Sequence, residues 1–327
     1  INSWKMVHGF DNYTFERVPK IPAREYLVIC QDSTKFLQMH PDVKAIVGDF
    51  NFDLNSKGNI SIYNANNELA YRLSYDSIWP WASLPNGKGA TLELDKISSD
   101  NSISQWRESY ILMGTPGKLN SERPKIDKIY INEVMATNTS TNQDEYGEND
   151  DWLEVYNDNE LSVNVGGLYF TDKISEPQKW QAPLHHPELT TIPAKSYLLI
   201  WTDGQANQGT LHADFQLSSL GEKVAIFQRN LPGFSLINSL EFEEQSSDIT
   251  YGRYPDGSDS LSFMSPTPSA QNTPITYIDE KTLSTVLVYP NPFQSQITFN
   301  TLNIQEPYLL QIFNITGSEV LRIQVFE

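Results

Sequence analysis

Cysteine is almost missing from this sequence: among 327 residues there is one, Cys30. A single cysteine excludes an intrachain disulfide, so packing has to stabilise the folded chain. Cys30 ends the apolar run 26–30, and we expect a buried, unreactive thiol there. Long hydrophobic runs are missing as well. Because a membrane-spanning helix needs about 18 or more apolar residues, we predict no membrane span.

Positive charge is also scarce, since 23 Lys and Arg residues stand against 41 Asp and Glu residues, for a net charge of −18. A surface of this sign repels the phosphate backbone of nucleic acids and anionic lipid surfaces. The charge balance therefore weighs against a nucleic acid as a partner.

The motifs that mark catalytic sites are missing too. The sequence has no glycine-rich phosphate loop, no serine in a nucleophile elbow and no Cys/His arrangement. Glycoside hydrolysis needs two acids across a cleft, one of them with a raised pKa, whereas the acids here crowd one polar loop. We predict no catalytic residues and no cofactor-binding residues, and therefore not an enzyme, although the parent protein could carry an activity elsewhere.

The residues that are present favour β-structure. Alternating segments such as 60–63 (ISIY) and 152–156 (WLEVY) place one face inward and one outward, and clusters such as 85–87 (PNG) and 255–257 (PDG) suit tight turns. The length fits two or three domains. We predict an all-β chain of antiparallel sandwiches. The strand residues that we expect to be buried are Trp152, Val155, Leu199, Val224 and Ile226.

An internal repeat organises the chain. Segment 21–29 (IPAREYLVI) matches 192–200 (IPAKSYLLI), and both copies close on Thr-Pro-x-x-x-Asn, at 115–120 and at 267–272. These landmarks predict tandem sandwiches, with a first sandwich at 1–120, a linker at 121–126 and a second sandwich at 127–272. The boundaries beyond the repeat, a linker at 273–285 and a smaller C-terminal unit at 286–327, rest on a resemblance of the last segment that is given below.

The second copy carries four segments of a recognisable pattern, 131–138 (INEVMATN), 144–157 (DEYGENDDWLEVYN), 192–203 and 250–257 (TYGRYPDG). With these segments it resembles a lamin-tail domain of the bacterial secreted type, which implies an immunoglobulin-like β-sandwich. The first copy resembles the same family from Trp4 onward. Its first residues correspond to the strand that follows the Asp-Trp-Leu-Glu motif (151–154) in the second copy. We therefore expect the first copy to lack one or two strands and to expose an unpaired edge.

The C-terminal unit opens on the motif Tyr289, Pro290, Asn291 and Pro292, in which the two prolines fix two φ angles ahead of alternating segments. It resembles the start of the sorting domain of the type IX secretion pathway. The resemblance implies a small, incomplete β-sandwich and the type IX secretion machinery as a partner. It also implies a secreted or cell-surface protein that is exported across the outer membrane.

One acidic loop is the best candidate for a ligand site. Six polar residues that could offer oxygen ligands lie around Gly147: Asn142, Asp144, Glu145, Glu148, Asp150 and Asp151. Hard oxygen ligands suit Ca²⁺, but an EF-hand register from Asn142 would put Tyr146 and Leu153 at ligand positions. Two interpretations stay open. The loop is either a solvated turn or a calcium site formed by Asp144, Glu148, Asp150 and Asp151.

Histidine and tryptophan give weaker signals. We expect His185 and His186 to be surface loop residues and His212 to make a structural hydrogen bond. The tryptophans could form a sugar-binding platform or pack the core. We expect Trp180 and Trp201 in the core and Trp79 and Trp81 closer to the surface. The five tryptophans concerned are Trp79, Trp81, Trp106, Trp180 and Trp201.

Two classes of function follow. The first is a non-catalytic structural or adhesive accessory module at the C-terminus of a larger exported, surface-anchored bacterial protein, with an upstream domain of the same chain and a surface protein as partners. The second is a ligand-binding module for polysaccharide or extracellular DNA. The lamin-tail resemblance also allows a parent enzyme, such as a spore-coat-H-type kinase or a hydrolase, of which this chain would be the tail.

Overall fold

The computed structural model describes residues 1–95, 102–274, 286–289, 298–301, 308–314 and 318–325. The structure is 37% strand and 5% helix, which confirms the all-β fold class. The described helices are α1 (Ser33–Met39) and α2 (Pro187–Thr190), with one 3-10 turn at Ile103–Gln105. None of the helices in the described part is long and apolar enough to cross a membrane.

The first body, residues 1–121, combines one four-stranded sheet with two short strand pairs. Its strands are β1 (Lys5–His8), β2 (Asp11–Thr14), β3 (Val28–Cys30), β4 (Ile46–Gly48), β5 (Gly58–Tyr63), β6 (Leu69–Tyr75), β7 (Leu92–Leu94) and β8 (Trp106–Glu108). The sheet order is β2-β1-β5-β6; β3 pairs with β4 in parallel, and β7 pairs with β8. Met6 and three phenylalanines form its core. Cys30 is buried, as predicted.

The second body, residues 122–274, is a two-layer sandwich. Its strands are β9 (Ile129–Met135), β10 (Trp152–Asn157), β11 (Val163–Asn164), β12 (Tyr169–Thr171), β13 (Trp180–Gln181), β14 (Thr191–Ile192), β15 (Ser196–Trp201), β16 (Gly221–Asn230), β17 (Gly233–Glu243), β18 (Thr250–Arg253) and β19 (Leu261–Met264). A five-stranded sheet, β15-β10-β9-β18-β19, and a four-stranded sheet, β13-β12-β16-β17, share one apolar core.

The burial predictions hold for four of five residues. Val155, Val224 and Ile226 are fully buried between the two sheets. Trp152 is fully buried too, but on the opposite face of β10, where it packs against Met135 and Trp201. The prediction for Leu199 is wrong, because Leu199 is only half-buried. It lies on edge strand β15 and on the same outer side as Trp152, where fewer elements cover the sheet.

The two bodies share a strand arrangement. In each four-stranded sheet a short antiparallel pair is followed by a long hairpin, so β2-β1-β5-β6 corresponds to β13-β12-β16-β17. The two Thr-Pro-x-x-x-Asn motifs, at 115–120 and 267–272, also make similar hydrogen bonds. Nδ2 of Asn120 donates to the carbonyl of Leu94 at 2.8 Å, and Nδ2 of Asn272 donates to the carbonyl of Arg253 at 2.7 Å. Each asparagine thus ties the end of its copy to the end of an equivalent strand.

The second sheets differ. In the second body, β9 and β10 lie between β15 and β18, whereas the described part of the first body has no strands in the corresponding place. A cavity of about 700 Å³ instead separates β3 from β7, with Val28 and Leu92 in its lining.

The first residue of the predicted linker at 121–126 makes contacts with the first body. Ser121 is buried, its hydroxyl donates to Oε2 of Glu93 at 2.7 Å, and its carbonyl accepts a hydrogen bond from Arg107 at 2.5 Å. Glu93 and Arg107 also form a buried ion pair at 2.8 Å. Ser121 therefore belongs to the first body.

The C-terminal unit contributes four described strands. Two antiparallel pairs form, β20 (Val286–Tyr289) with β21 (Thr298–Thr301) and β22 (Tyr308–Phe313) with β23 (Glu319–Val325). Of the predicted sorting motif, Tyr289 ends β20, while Pro290, Asn291 and Pro292 lie outside the described residues. Most of the predicted linker at 273–285 also lies outside them.

Two carboxyl groups are buried side by side on the outer face of the five-stranded sheet. Glu133 on β9 and Glu154 on β10 are register partners, and both are fully buried. The closing segment covers them: the backbone N–H of Thr267 donates to Glu133 at 3.0 Å, and that of Ser269 donates to Glu154 at 2.5 Å. Burial, together with the nearby Glu133, raises the pKa of Glu154 to about 9.

We predict that Glu154→Gln stabilises the chain at neutral and alkaline pH. Since the folded pKa lies above the unfolded value, the folded state binds a proton that the unfolded state releases, and stability falls as pH rises from about 4.5 to about 9. Glutamine imitates the protonated acid and removes this loss, which by linkage is on the order of 5 kcal/mol at pH 8. Urea denaturation of parent and variant from pH 5 to pH 9 measures it. Parallel pH profiles for the two proteins would contradict the assignment.

Candidate functional site

The acidic loop, defined as residues 136–151, connects β9 to β10 and is built around a tight turn. Oδ1 of Asp144 accepts hydrogen bonds from the backbone N–H groups of Tyr146 and Glu148, at 2.9 and 2.8 Å. Gly147 has a φ of +81°, a left-handed conformation that glycine adopts without strain. The Asp144 side chain therefore sets the turn with one oxygen and leaves the other available.

Side-chain amides fasten this turn to the sandwich. Nδ2 of Asn138 donates to the carbonyl groups of Asn142 and Asp150, at 2.8 and 2.9 Å. The indole Nε1 of Trp152 donates to Oδ1 of Asn142 at 2.9 Å. The acidic loop thus lies over the buried outer face of Trp152, and this contact explains why a tryptophan on the outer side of the sheet is shielded from solvent.

Asp248 holds the start of the acidic loop from the connection between β17 and β18. Its carboxylate accepts hydrogen bonds from the hydroxyl and backbone N–H of Thr139 and from those of Ser140. These hydrogen bonds hold the pKa of Asp248 well below its usual range, and the bond from the Thr139 hydroxyl has the largest effect. The loop is consequently fixed at both ends.

Three of the four predicted calcium ligands lie together. Asp144, Glu148 and Asp150 each offer a carboxylate oxygen, and these oxygens lie within 4.8 Å of one another. Asp151 is not part of this group. Burial raises the pKa of Asp151 to about 6, with Asp150 and Glu222 as further contributors. Calcium binding by the four residues stays a prediction.

His212 makes the structural hydrogen bond that the sequence predicts. It is 1% exposed, and its Nδ1 lies 2.5 Å from Oδ2 of Asp203, which is also buried. Its ring stacks on Trp201 and meets Tyr146 edge-on. Burial alone would lower the pKa of His212, but the Asp203 bond and the negative charge of Asp203 and Glu145 outweigh it and raise that pKa.

The second ring nitrogen of His212 faces the acidic loop, a contact that the sequence analysis missed. Nε2 lies 3.3 Å from Oε2 of Glu145, and His212, Glu145 and Asp144 offer three ligand atoms within 4.8 Å of one another. About seventy positions separate His212 from the loop, so no local spacing could have indicated this. The only sequence signal was that both belong to the same family pattern.

A second loop, residues 202–217, supports this contact. The hydroxyl of Tyr146 donates to the carbonyl of Gln208 at 2.7 Å, and Nε2 of Gln208 donates to Glu148 at 2.9 Å. The backbone N–H of Thr202 donates to the carbonyl of Asp151 at 2.8 Å. The two loops therefore present their polar side chains to each other in a fixed arrangement.

The other candidate residues are dispersed. His185 is exposed and His186 half-buried in the turn before α2, where Nδ1 of His186 lies 2.9 Å from Glu188. Trp180 and Trp201 are buried, as predicted. Three tryptophans keep some exposure, Trp79 at 50% and Trp81 and Trp106 at intermediate values. They do not form a single exposed row.

Comparison with known proteins gives one match. Residues 122–239 match the family model of the Lamin Tail Domain, from the start of the second body into β17. No curated protein and no solved structure matches the chain. The matched residues include neither the first body nor the C-terminal unit, so the tandem arrangement and the sorting domain stay predictions. Over residues 122–239 the chain is similar to the lamin tail domain, a family with an immunoglobulin-like β-sandwich fold.

Proposed function

We propose that the two bodies form a non-catalytic structural or adhesive accessory module within a larger exported, surface-anchored bacterial protein. The observation that carries this proposal is the buried polar and aromatic contact that joins the bodies. The similarity of residues 122–239 to a lamin tail domain supports it, because that domain is a sandwich module without catalytic machinery.

Glu108 is the centre of the contact between the bodies. It ends β8 in the first body, and its Oε1 accepts hydrogen bonds from the Tyr169 hydroxyl and from Nε2 of Gln181, both at 2.9 Å. Nη1 of Arg229 lies 3.7 Å from its other oxygen. Glu108, Tyr169 and Arg229 are all at most 5% exposed. A buried charge with these partners ties the bodies into one orientation, because any displacement would leave it unpaired.

An aromatic contact extends the same interface. The ring of Trp79 stacks on Phe234 of the second body at 5.7 Å, and the guanidinium of Arg229 lies 5.4 Å from the Trp79 ring centre. Nη2 of Arg229 donates to the carbonyl of Pro80 at 3.1 Å. Leu84 and Ala90 pack against Leu184 nearby. Relative motion is the default for two domains of one chain, and apolar packing around a buried ion pair restrains it.

The described side chains give no support to a hydrolytic mechanism. Among the described residues, the histidines in side-chain hydrogen bonds pair with Tyr75, Glu188 and Asp203, and not with a serine or a thiol. Catalysis by a serine or cysteine nucleophile needs that hydroxyl or thiol within reach of a base. The free thiol of Cys30 is buried, and burial raises its pKa, which lowers its reactivity.

Removal of the Glu108 carboxylate should separate the two bodies. Glu108→Ala leaves Arg229 buried without its carboxylate partner, at a cost of about 3 to 5 kcal/mol. We expect the parent to unfold in one calorimetric transition over both bodies and the variant to unfold in two. Small-angle scattering should also show a larger, less defined particle for the variant.

Glu241→Ala is the matched control. Glu241 pairs with Lys223 on the exposed surface of the second body, and this pair is worth at most about 1 kcal/mol. It should leave the single transition in place. If the parent itself unfolds in two transitions that Glu108→Ala does not change, the bodies are independent and the proposed rigid module is wrong.

Polysaccharide binding is the second candidate function, and a cleft between the bodies favours it. The cleft has a volume of about 520 Å³ and is lined by Trp79, Trp81 and Trp180 together with polar residues such as Lys88 and Asp214. Aromatic rings beside a few polar groups are typical of small-ligand sites. Phe234 and Arg229 already contact the Trp79 ring, so Trp81 is the ring most available to a sugar.

If the cleft binds sugars, neutral or acidic polysaccharides in a native affinity gel should slow the migration of the parent chain. Trp81→Ala should abolish this retardation. Trp106→Ala, at a half-buried tryptophan outside this cleft, should bind like the parent. Duplex DNA is tested in the same way, and the net charge of −18 predicts that the chain does not bind it at physiological salt. A parent chain that no polysaccharide retards would remove this second function.

We further propose that the C-terminal unit directs export. The resemblance of 286–327 to the type IX sorting domain supports this role, and the two antiparallel strand pairs are compatible with it. In a bacterium with a type IX system, deletion of 286–327 should leave the chain in the periplasm. Protease shaving of whole cells should then fail to digest it. Equal surface exposure with and without this unit would show that it carries no sorting information.

A further inference from the structure

The feature of the second body that most needs an explanation is a set of buried polar atoms that make no hydrogen bond, although Nε2 of His212 lies 3.3 Å from Oε2 of Glu145. Among the described residues, Nε2 of His212, Oδ2 of Asp144 and Oδ2 of Asp150 are buried and make no hydrogen bond. All three lie where the acidic loop meets loop 202–217. Buried polar atoms are almost always paired in folded proteins, so three in one place need a physical explanation.

His212 is held in the orientation of a metal ligand. Its Nδ1 is engaged with Oδ2 of Asp203, while Oδ1 of Asp203 accepts the backbone N–H of Gln205 at 2.8 Å. This arrangement fixes the ring and directs Nε2 at the acidic loop. Metal-bound histidines almost always donate their other ring N–H to a carboxylate, a backbone carbonyl or a water molecule. A carboxylate in this place sets the tautomer and makes the metal-binding nitrogen more basic.

The geometry in front of Nε2 fits an ion. Oε2 of Glu145 lies 3.3 Å from Nε2, and one Asp144 oxygen lies within 4.8 Å of both atoms. Two ligands about 2.0 to 2.2 Å from a tetrahedral zinc ion lie about 3.4 Å apart. Oδ1 of Asp144 serves the turn, which leaves its unpartnered Oδ2 for the ion.

The negative charge of the carboxylates around these atoms is not balanced by a paired lysine or arginine in the described part of the chain. In the described part of the chain, neither residue type forms an ion pair with any of five nearby carboxylates, and His212 is the one basic side chain paired there. The carboxylates are Asp144, Glu145, Glu148, Asp150 and Asp203. A divalent cation would relieve their mutual repulsion.

We propose that Nε2 of His212 and the carboxylates of Asp144 and Glu145 bind a divalent transition-metal ion of the zinc class. Asp203 is the positioning residue that orients the imidazole. The nitrogen ligand decides the class, since Ca²⁺ and Mg²⁺ are bound through oxygen, whereas zinc accepts imidazole and carboxylate together. Bound there, the ion joins the acidic loop to loop 202–217. This proposal does not depend on the function proposed above.

Calorimetric titration of the untagged full chain, freed of metal by a chelator, tests the site. Zn²⁺ should bind at one site and raise the melting temperature of the second body, while Ca²⁺ and Mg²⁺ should do so weakly or not at all. Co²⁺ should give the visible absorption of a tetrahedral complex. Glu145→Gln and His212→Gln should each weaken zinc binding at least tenfold, and Asp203→Asn should weaken it about 10- to 100-fold.

Matched variants keep the test decisive. His186→Gln removes a histidine that also lies beside a glutamate, but at the surface, and it should bind zinc like the parent. The Glu145 side chain is 59% exposed, so Glu145→Gln should fold even if His212→Gln does not. The proposal is overturned if zinc does not bind or if Glu145→Gln binds it normally. Tighter binding of Ca²⁺ than of Zn²⁺, lost in Asp150→Ala but kept in Glu145→Gln, would also overturn it and would support the oxygen-only calcium site.

Discussion

The pairing of β9 with β10 is the interaction on which the second body depends. These strands lie at the centre of the five-stranded sheet, so their inner faces supply Ile131, Leu153 and Val155 to the core. Their outer faces are also buried, and each needs a cover. The closing segment at 267–272 covers Glu133 and Glu154, while the acidic loop covers Trp152. Segments that look like loops in the sequence are therefore the third layer of this sandwich.

The described part of the first body has no strand pair of this kind. Among the described residues, its four-stranded sheet stands beside two separate pairs, in which β3 pairs only with β4 and β7 only with β8. Thr267 donates its hydroxyl to Glu133 on β9, whereas the hydroxyl of Thr115 in the first body is buried without a partner among the described residues. The contact through Glu108 gives the first body a second source of stability, because the second body supplies Tyr169, Gln181 and Arg229 to its last strand.

Much of this fold could be predicted from the sequence, because the signals were local or repeated. Strand alternation located Val155 and Val224 in the core, and the repeated Thr-Pro-x-x-x-Asn motif located two asparagines with equivalent hydrogen bonds. Long-range packing decides the features that local signals do not indicate. Leu199 follows the same apolar pattern but lies on an edge strand, and Ser121 looks like a linker residue but completes the Glu93–Arg107 pair.

The candidate site could be predicted only in part for the same reason. A dense run of acids marks the acidic loop in any reading of the sequence, and Asp144, Glu148 and Asp150 do lie together. The contribution of His212 depends on how two distant loops pack, and the absence of Asp151 from the group of three carboxylates depends on its burial next to β10. Periodicity describes neither.

Charge is distributed in two different ways in this acidic chain. Where two parts of the molecule must stay together, a buried arginine meets each carboxylate, as Arg107 does with Glu93 and Arg229 with Glu108. A protein-supplied cation of this kind makes the contact permanent. The carboxylates between the acidic loop and loop 202–217 have only His212, whose Nε2 makes no hydrogen bond in the described structure. With the proposed ion bound, the stability of such a junction would change with the supply of an external cation. The two loops would then be the part of the proposed module that responds to its surroundings.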